Sequence, residues 1–143
     1  MIKAFTDGAS RGNPGLAACA FVVLENETLL CQKGFFLGEK TNNYAEYMGV
    51  IKLLEWAGRN GISNLEINSD SELVVKQVTS DYSVNDPTLR SLHRRVIQGL
   101  NRSNSTLHWI PREENEAADK LVNCRRRCNR EAHRRSPGKR EPR

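Results

Sequence analysis

Long hydrophobic runs are absent from this chain. No stretch approaches the ~20 apolar residues of a membrane-spanning helix, which excludes a helical membrane protein. Cysteine is sparse: Cys19, Cys31, Cys124 and Cys128 form no dense framework. That argues against a disulfide-stapled scaffold and for a reduced cytoplasm. The N-terminus enters an apolar strand at once, so no signal peptide is expected. A triphosphate-binding loop is missing as well, because no Gly-Lys-Ser/Thr follows "GASRGNPG". No internal repeat is visible.

What remains is a chain of 143 residues, 38% hydrophobic and 27% charged, which suits one soluble domain with a sizeable core. The net charge of +5 is unevenly spread. Residues 124–143 hold nine Lys/Arg and two Glu, a net of +7, which leaves residues 1–123 at −2. A slightly acidic body does not bind polyanions by bulk charge. If it binds nucleic acid, it does so locally or through metal ions.

Residues 2–7, 17–25 and 28–37 read as strands, with Asn26-Glu27 a tight hairpin and Gly12 to Gly15 turning the first corner. A helix is expected over 42–59, closed by Asn60-Gly61. "NLEIN" (64–68) is a short strand and "SELVVKQV" (71–78) a helix. A further helix begins at Pro87 and runs to about Leu100. "STLHWI" (105–110) is the last strand, and helix resumes near Glu114. Three hairpin-linked strands followed by strand–helix alternation imply an α/β fold, a mixed sheet with helices packed on it.

Four acids stand out, each with an ordinary explanation beside it. Asp7 ends the first strand, where an Asp also caps the turn at Gly8 and Ala9. Glu46 shares a helical stripe with the apolar Val50, Leu53 and Ala57, where a carboxylate is costly unless a cation meets it. Near a helix start, it would equally suit the macrodipole. Asp70 follows "NLEIN", but Ser69-x-x-Glu72 is also a capping-box pattern. Asp119 lies in the first turns of the last helix, a common place for an acid. Functional groups in open α/β sheets gather at the carboxyl ends of parallel strands. If these four converge there, their repulsion calls for divalent cations. All-oxygen ligands without clustered His or Cys point to Mg²⁺ or Mn²⁺ rather than zinc.

"TDGASRGNPG", "TNNYAEY", "INSDSELVVKQV" and "PREENEAADKLVN" together resemble, in order, the four motifs of the type 1 ribonuclease H family. The resemblance covers residues 1–123, as a catalytic domain. It implies the ribonuclease H-like fold, a mixed five-stranded sheet with helices on both faces. It also implies an endoribonuclease that cleaves the RNA strand of RNA/DNA hybrids with two Mg²⁺ ions, leaving 3′-hydroxyl and 5′-phosphate ends. By resemblance Asp7 bridges the ions, and Asp119 holds the one that activates water. Glu46 and Asp70 hold the one beside the leaving oxygen, with Glu46 near a ribose 2′-hydroxyl. Asn13, Asn42 and Asn43 match residues that reach the hybrid's minor groove and backbone, and Thr41 a DNA-phosphate pocket. Locally, Asn13 also suits the Asn-Pro-Gly turn, and Thr41 or Asn42 an N-cap. The partner expected is an RNA/DNA hybrid bound by a cytoplasmic monomer, with no membrane. Double-stranded RNA is the broader alternative substrate, and a non-catalytic hybrid-binding module is the rival reading.

The chain departs from the family pattern in three places. Pro111 to Asn115 is short, and Arg112 stands where many members carry a loop histidine, as in the archaeal and some bacterial variety. Arg112 would meet phosphate but cannot act as a base near neutral pH. His108 falls in the strand, as an edge or packed residue. The basic protrusion of many relatives is missing, and His93, Arg94 and Arg95 are the cationic cluster left there. Third, residues 124–143 form a basic helix extension and tail. Ala117, Leu121, Cys124 and Cys128 are expected to face inward, leaving Arg125, Arg126, Arg127 and Arg130 exposed. Residues 133–143 are expected to be disordered, and the tail either attracts phosphate or only solubilises. Zinc at Cys124, Cys128 and His133 lacks a fourth ligand.

Overall fold

The computed structural model describes residues 1–80 and 83–135, with side chains described as far as Arg125. The chain opens with three antiparallel strands, β1 (Ile2–Ser10), β2 (Gly15–Glu25) and β3 (Thr28–Lys40). Helix α1 (Asn42–Arg59), strand β4 (Leu65–Ser69), and helices α2 (Glu72–Thr79) and α3 (Pro87–Ser103) follow. Strand β5 (Thr106–Trp109), a 3₁₀ turn over Arg112–Glu114 and helix α4 (Glu116–Arg135) complete the order. The five strands form one sheet in the order β3-β2-β1-β4-β5, with β4 parallel to both β1 and β5. The mixed five-stranded sheet expected from the sequence is present.

The hairpin turn forms where Asn26 and Glu27 both take positive φ (49° and 71°), the twist that suits a two-residue connection. Strand β2 is buried on both faces, and its side chains differ by face. Cys19, Phe21 and Val23 share a core with Tyr47, Val50, Leu53 and Trp56 of α1 and with Val96 of α3. Ala18 and Ala20 meet Val122 of α4 on the opposite face. Each large side chain buried there contributes about 1.5–3 kcal/mol. Small alanines let α4 sit close to the sheet.

Strand β1 is longer than the sequence suggests. It pairs with β2 from Ile2 to Ser10, but with β4 only from Ile2 to Thr6. Asp7 therefore does not end the strand; it is the first residue past the end of the parallel ladder. The antiparallel partner carries β1 three residues further. Strand β3 likewise extends to Lys40, held by β2 as far as Gly15.

Helix α4 differs in phase from the expected stripe. Its buried positions are Ala118 and Val122, with Asn115 just before the helix; Ala117 and Cys124 are exposed, and Leu121 is half-buried. Asn115 sets this phase, because its buried amide donates to the Thr6 carbonyl at 2.9 Å and its own carbonyl accepts from Asp119 N. The helix continues to Arg135, and the rest of the segment expected to be disordered lies outside the described residues. The side chains of Cys128 and His133, and with them the zinc reading, lie outside the described residues. Among the described residues no helix is long and apolar enough to cross a membrane.

Candidate active site

Asp7 is 6% exposed and faces the start of α1. Two glycines create that approach. A Cβ on Gly8 would lie 2.1 Å from the Ala45 carbonyl oxygen, and one on Gly49 would lie 2.8 Å from the Asp7 carbonyl oxygen. Without side chains at both, the helix backbone crosses β1 in direct contact, and Glu46 arrives beside Asp7. Glu46 lies on the same helix as the buried Val50, Leu53 and Ala57, and is itself half-buried.

Local hydrogen bonds pin the start of α1. Thr41 is its N-cap, with Oγ1 accepting from Tyr44 N at 3.2 Å. Asn42 Oδ1 accepts from Ser10 N, and Asn13 Oδ1 accepts from Asn42 N, both at 3.2 Å. These contacts tie the β1–β2 corner to the helix. Thr41 and Asn13 thus serve the ordinary structural roles, and Asn42 turns its side-chain oxygen back to β1. Asn13, Thr41 and the exposed Asn43 also line an open cavity of about 390 Å³, shared with Lys40, Tyr44 and Asp86.

Asp70 sits between β4 and α2. The capping box anticipated at Ser69 does not form. Ser71 is the N-cap, its Oγ accepting from Val74 N at 3.2 Å, while Ser69 Oγ accepts from Ser71 N. Asp70 therefore precedes the cap, and helix α2 does not account for it. Its carboxylate accepts a hydrogen bond from the Asn115 side chain. The Trp109 indole N–H donates to its backbone oxygen at 3.3 Å, and that ring is 47% exposed.

One carboxylate oxygen each from Asp7, Glu46 and Asp70 lies within 4.8 Å of the others. Asp119, in the first turn of α4, flanks this trio, and its charge acts on both Asp7 and Asp70. Burial above all, then repulsion from Asp70 and Glu46, pushes the Asp7 carboxyl up to about 8. Burial, with Asp70 adding to it, pushes Glu46 up to about 7 against a Ser71 hydrogen bond and Arg112. Burial also raises Asp70, opposed by Asn115 and Arg112. Arg112 is 78% exposed, and its Nη2 stands 3.9 Å from Asp119 Oδ1.

The described histidine side chains lie elsewhere. His93 Nε2 pairs with the Gln77 backbone oxygen at 2.8 Å, and His108 Nε2 with Thr106 Oγ1 at 2.8 Å. The expected cluster of His93, Arg94 and Arg95 is also dispersed, since Arg95 Nη2 bonds Glu55 at 3.2 Å. Convergent carboxylates, with no histidine beside them among the described residues, are a donor set for a hard divalent cation. Burial first, and repulsion between the carboxylates after it, raises Asp7 and Glu46, and such a cation would offset both.

Residues 5–125 match the reverse transcriptase-like family model. The chain belongs to the type 1 ribonuclease H family. Ribonuclease HI of Halobacterium salinarum is 40% identical over 124 residues, which is 85% of this chain and 62% of that protein. The crystal structure of RNase H1 from that archaeon superposes with a TM-score of 0.81 at 40% identity, covering 85% of this chain and 94% of that one. LC11-RNase H1 in complex with RNA/DNA hybrid superposes at 0.80 with 35% identity, covering 86% and 94%. The chain spans 62% of the halobacterial enzyme's length and 33% of a matching Mycobacterium tuberculosis bifunctional protein.

Three residues of this candidate site were not singled out from sequence. Ser71 caps α2 and bonds Glu46 at once. Asn115 ties the Thr6 carbonyl, the Asp70 carboxylate and the start of α4 together. Trp109 presents a ring beside Asp70. Ser71 and Asn115 both stand within motif segments, but only the folded chain shows what they bond.

Proposed function

We propose that this chain is an endoribonuclease that hydrolyses the RNA strand of RNA/DNA hybrids, with Asp7, Glu46, Asp70 and Asp119 holding two Mg²⁺ ions and Mn²⁺ accepted in their place. The observation that carries this reading is the trio of carboxylates within 4.8 Å, with Asp7 pushed up to about 8 by burial and by its neighbours. Similarity to a relative named ribonuclease HI, and to an RNase H1 solved with an RNA/DNA hybrid, supports the substrate class.

The residues divide the work. Bound divalent ions would supply an activated water and charge stabilisation for the leaving oxygen, giving 3′-hydroxyl and 5′-phosphate ends. Asp7, which feels the charges of Asp70, Glu46 and Asp119, would serve both ions. Glu46 lies near the RNA strand's 2′-hydroxyl, the group that marks RNA. Arg112 attracts the phosphate through its guanidinium. Asn13, Thr41 and Asn43 contact the hybrid's backbone from their cavity, while Asn42 holds Asn13 in place. The enzyme acts as a monomer in the cytoplasm.

The test is cleavage of strand-labelled substrates with Mg²⁺ and with chelator. Cutting of only the RNA strand of a hybrid is expected, with a loss of about 10²–10³-fold or more in Asp7→Asn. Cutting of double-stranded RNA as well would establish the broader nuclease. Hybrid binding without cutting would establish a binding module and overturn the catalytic assignment.

A further inference from the structure

A groove lies away from the carboxylates, between the C-terminal halves of α1 and α3. It has a volume of about 800 Å³. Its base is apolar, formed by the buried Ile51, Leu54 and Ala57 with the half-buried Ile62. The exposed Arg59, Arg95 and Arg102 stand around it. Gly99 brings the helices together, since a Cβ there would meet Leu54 Cδ1 at 2.8 Å. The end of the groove is closed by Asn64 N donating to the Ser103 carbonyl at 2.7 Å.

Arg59 and Arg102 occupy the last turns of α1 and α3, where a cation suits each helix dipole. That accounts for one charge per helix. It does not explain why both charges border one apolar trough, where Arg95 and the carboxylate of Glu55 also stand. Glu55 pairs with Arg95 at 3.2 Å and is shared with Lys52 at 3.9 Å. Among the described residues no carboxylate pairs with Arg59 or Arg102. The groove therefore offers apolar surface and uncompensated positive charge together.

We infer that this groove docks an acidic, partly apolar segment of a partner protein, its acids on the arginines and its apolar side chains on the Ile51–Leu54–Ala57 base. Charge complementarity selects an acidic occupant. The base selects a peptide over nucleic acid, because a phosphate backbone has nothing apolar to bury. No aromatic ring among the described residues lines the groove to stack a base. Position separates it from the cleavage site as well: Arg59 lies thirteen residues along α1 from Glu46, about 20 Å at 1.5 Å per residue.

The test uses fluorescence anisotropy of a labelled peptide alternating Asp and Leu, with the 143-residue chain. An Asp/Ser peptide of equal charge and a DNA duplex serve as comparators. Saturable binding of the Asp/Leu peptide is expected, weakened about tenfold or more in Arg59→Glu/Arg102→Glu, whose positions are exposed. Gly58→Gln is the second variant. Its Cβ meets nothing within 4 Å, so it obstructs the groove without strain and should weaken binding too. Hybrid cleavage should be unchanged in both variants. Absence of peptide binding would overturn the inference. Equal binding of the Asp/Ser peptide would reduce the groove to a charge patch and overturn it too. Competition by the DNA duplex, with loss of hybrid binding in the reversed variant, would make it part of the nucleic-acid surface instead.

Discussion

Replacing Asp7 by Asn should make the metal-free protein more stable, not less. The side chain is 6% exposed and faces two other carboxylates. Its pKa moves from 3.8 to about 8 on folding. The folded state thus holds the proton more tightly than the unfolded chain does. Stability from this group is fully present below pH 3.8 and is lost as pH rises through about 8. At 1.36 kcal/mol for each tenfold change in proton affinity, the loss by pH 7 is about 4 kcal/mol. The Asp7→Asn change removes that penalty with hardly any change in volume, and the amide oxygen still accepts from Gly8 N–H as the carboxylate does. It also relieves Glu46, which is pushed up to about 7. Urea unfolding in chelator should give similar stabilities for both proteins near about pH 4, and the Asp7→Asn variant ahead by about 2–4 kcal/mol near about pH 7.5. The corresponding rise in melting temperature is roughly 10 °C. Added Mg²⁺ should stabilise the parent chain and leave the variant almost unmoved. A variant that is less stable than its parent, or that shows the same pH slope, would refute the placement of Asp7 among repelling carboxylates.

Three further substitutions probe how the site is held. Gly49→Ala drives a methyl to 2.8 Å from the Asp7 carbonyl oxygen. It should cost about 1–3 kcal/mol in urea unfolding and reduce turnover by moving Glu46 away from Asp7. Asn115→Ala removes donors to the Thr6 carbonyl and the Asp70 carboxylate. It should cost about 1–3 kcal/mol and weaken Mg²⁺ binding, read by calorimetry, by about tenfold or more. Arg112→Ala, at an exposed position, should leave the melting temperature unchanged and lower kcat/KM. Restoration of the activity by Lys would show that charge suffices there, and continued loss that the guanidinium fork is needed.

The elements are legible in the sequence because their signals are local. Asn26-Glu27 between two apolar runs specifies a tight hairpin, and "TNNYAEY" opens on the N-cap of its own helix, Thr41. Element ends are less legible where the partner decides them. β1 continues past Asp7 because β2 pairs with it, while β4 stops at Ser69. The phase of α4 departs by one position from the expected stripe for the same reason. Apolar spacing favours Ala117 and Leu121, whereas the Asn115–Thr6 bond turns Ala118 and Val122 inward.

The site divides along the same line. The sequence by itself determined which acids are available, their order and the segments that carry them, since those follow from residue identity and local periodicity. It also determined the family, through four short segments in order. Tertiary structure decided that residues 7, 46 and 70 meet, because that depends on two backbones touching at Gly8 and Gly49. It decided that Asn42 and Thr41 bond their own chain, and that Ser71 and Asn115 hold two of the acids. It also brought the arginines of two helix ends to one groove. Each of these is a distance between residues far apart in the chain, and helix crossings and strand register set such distances.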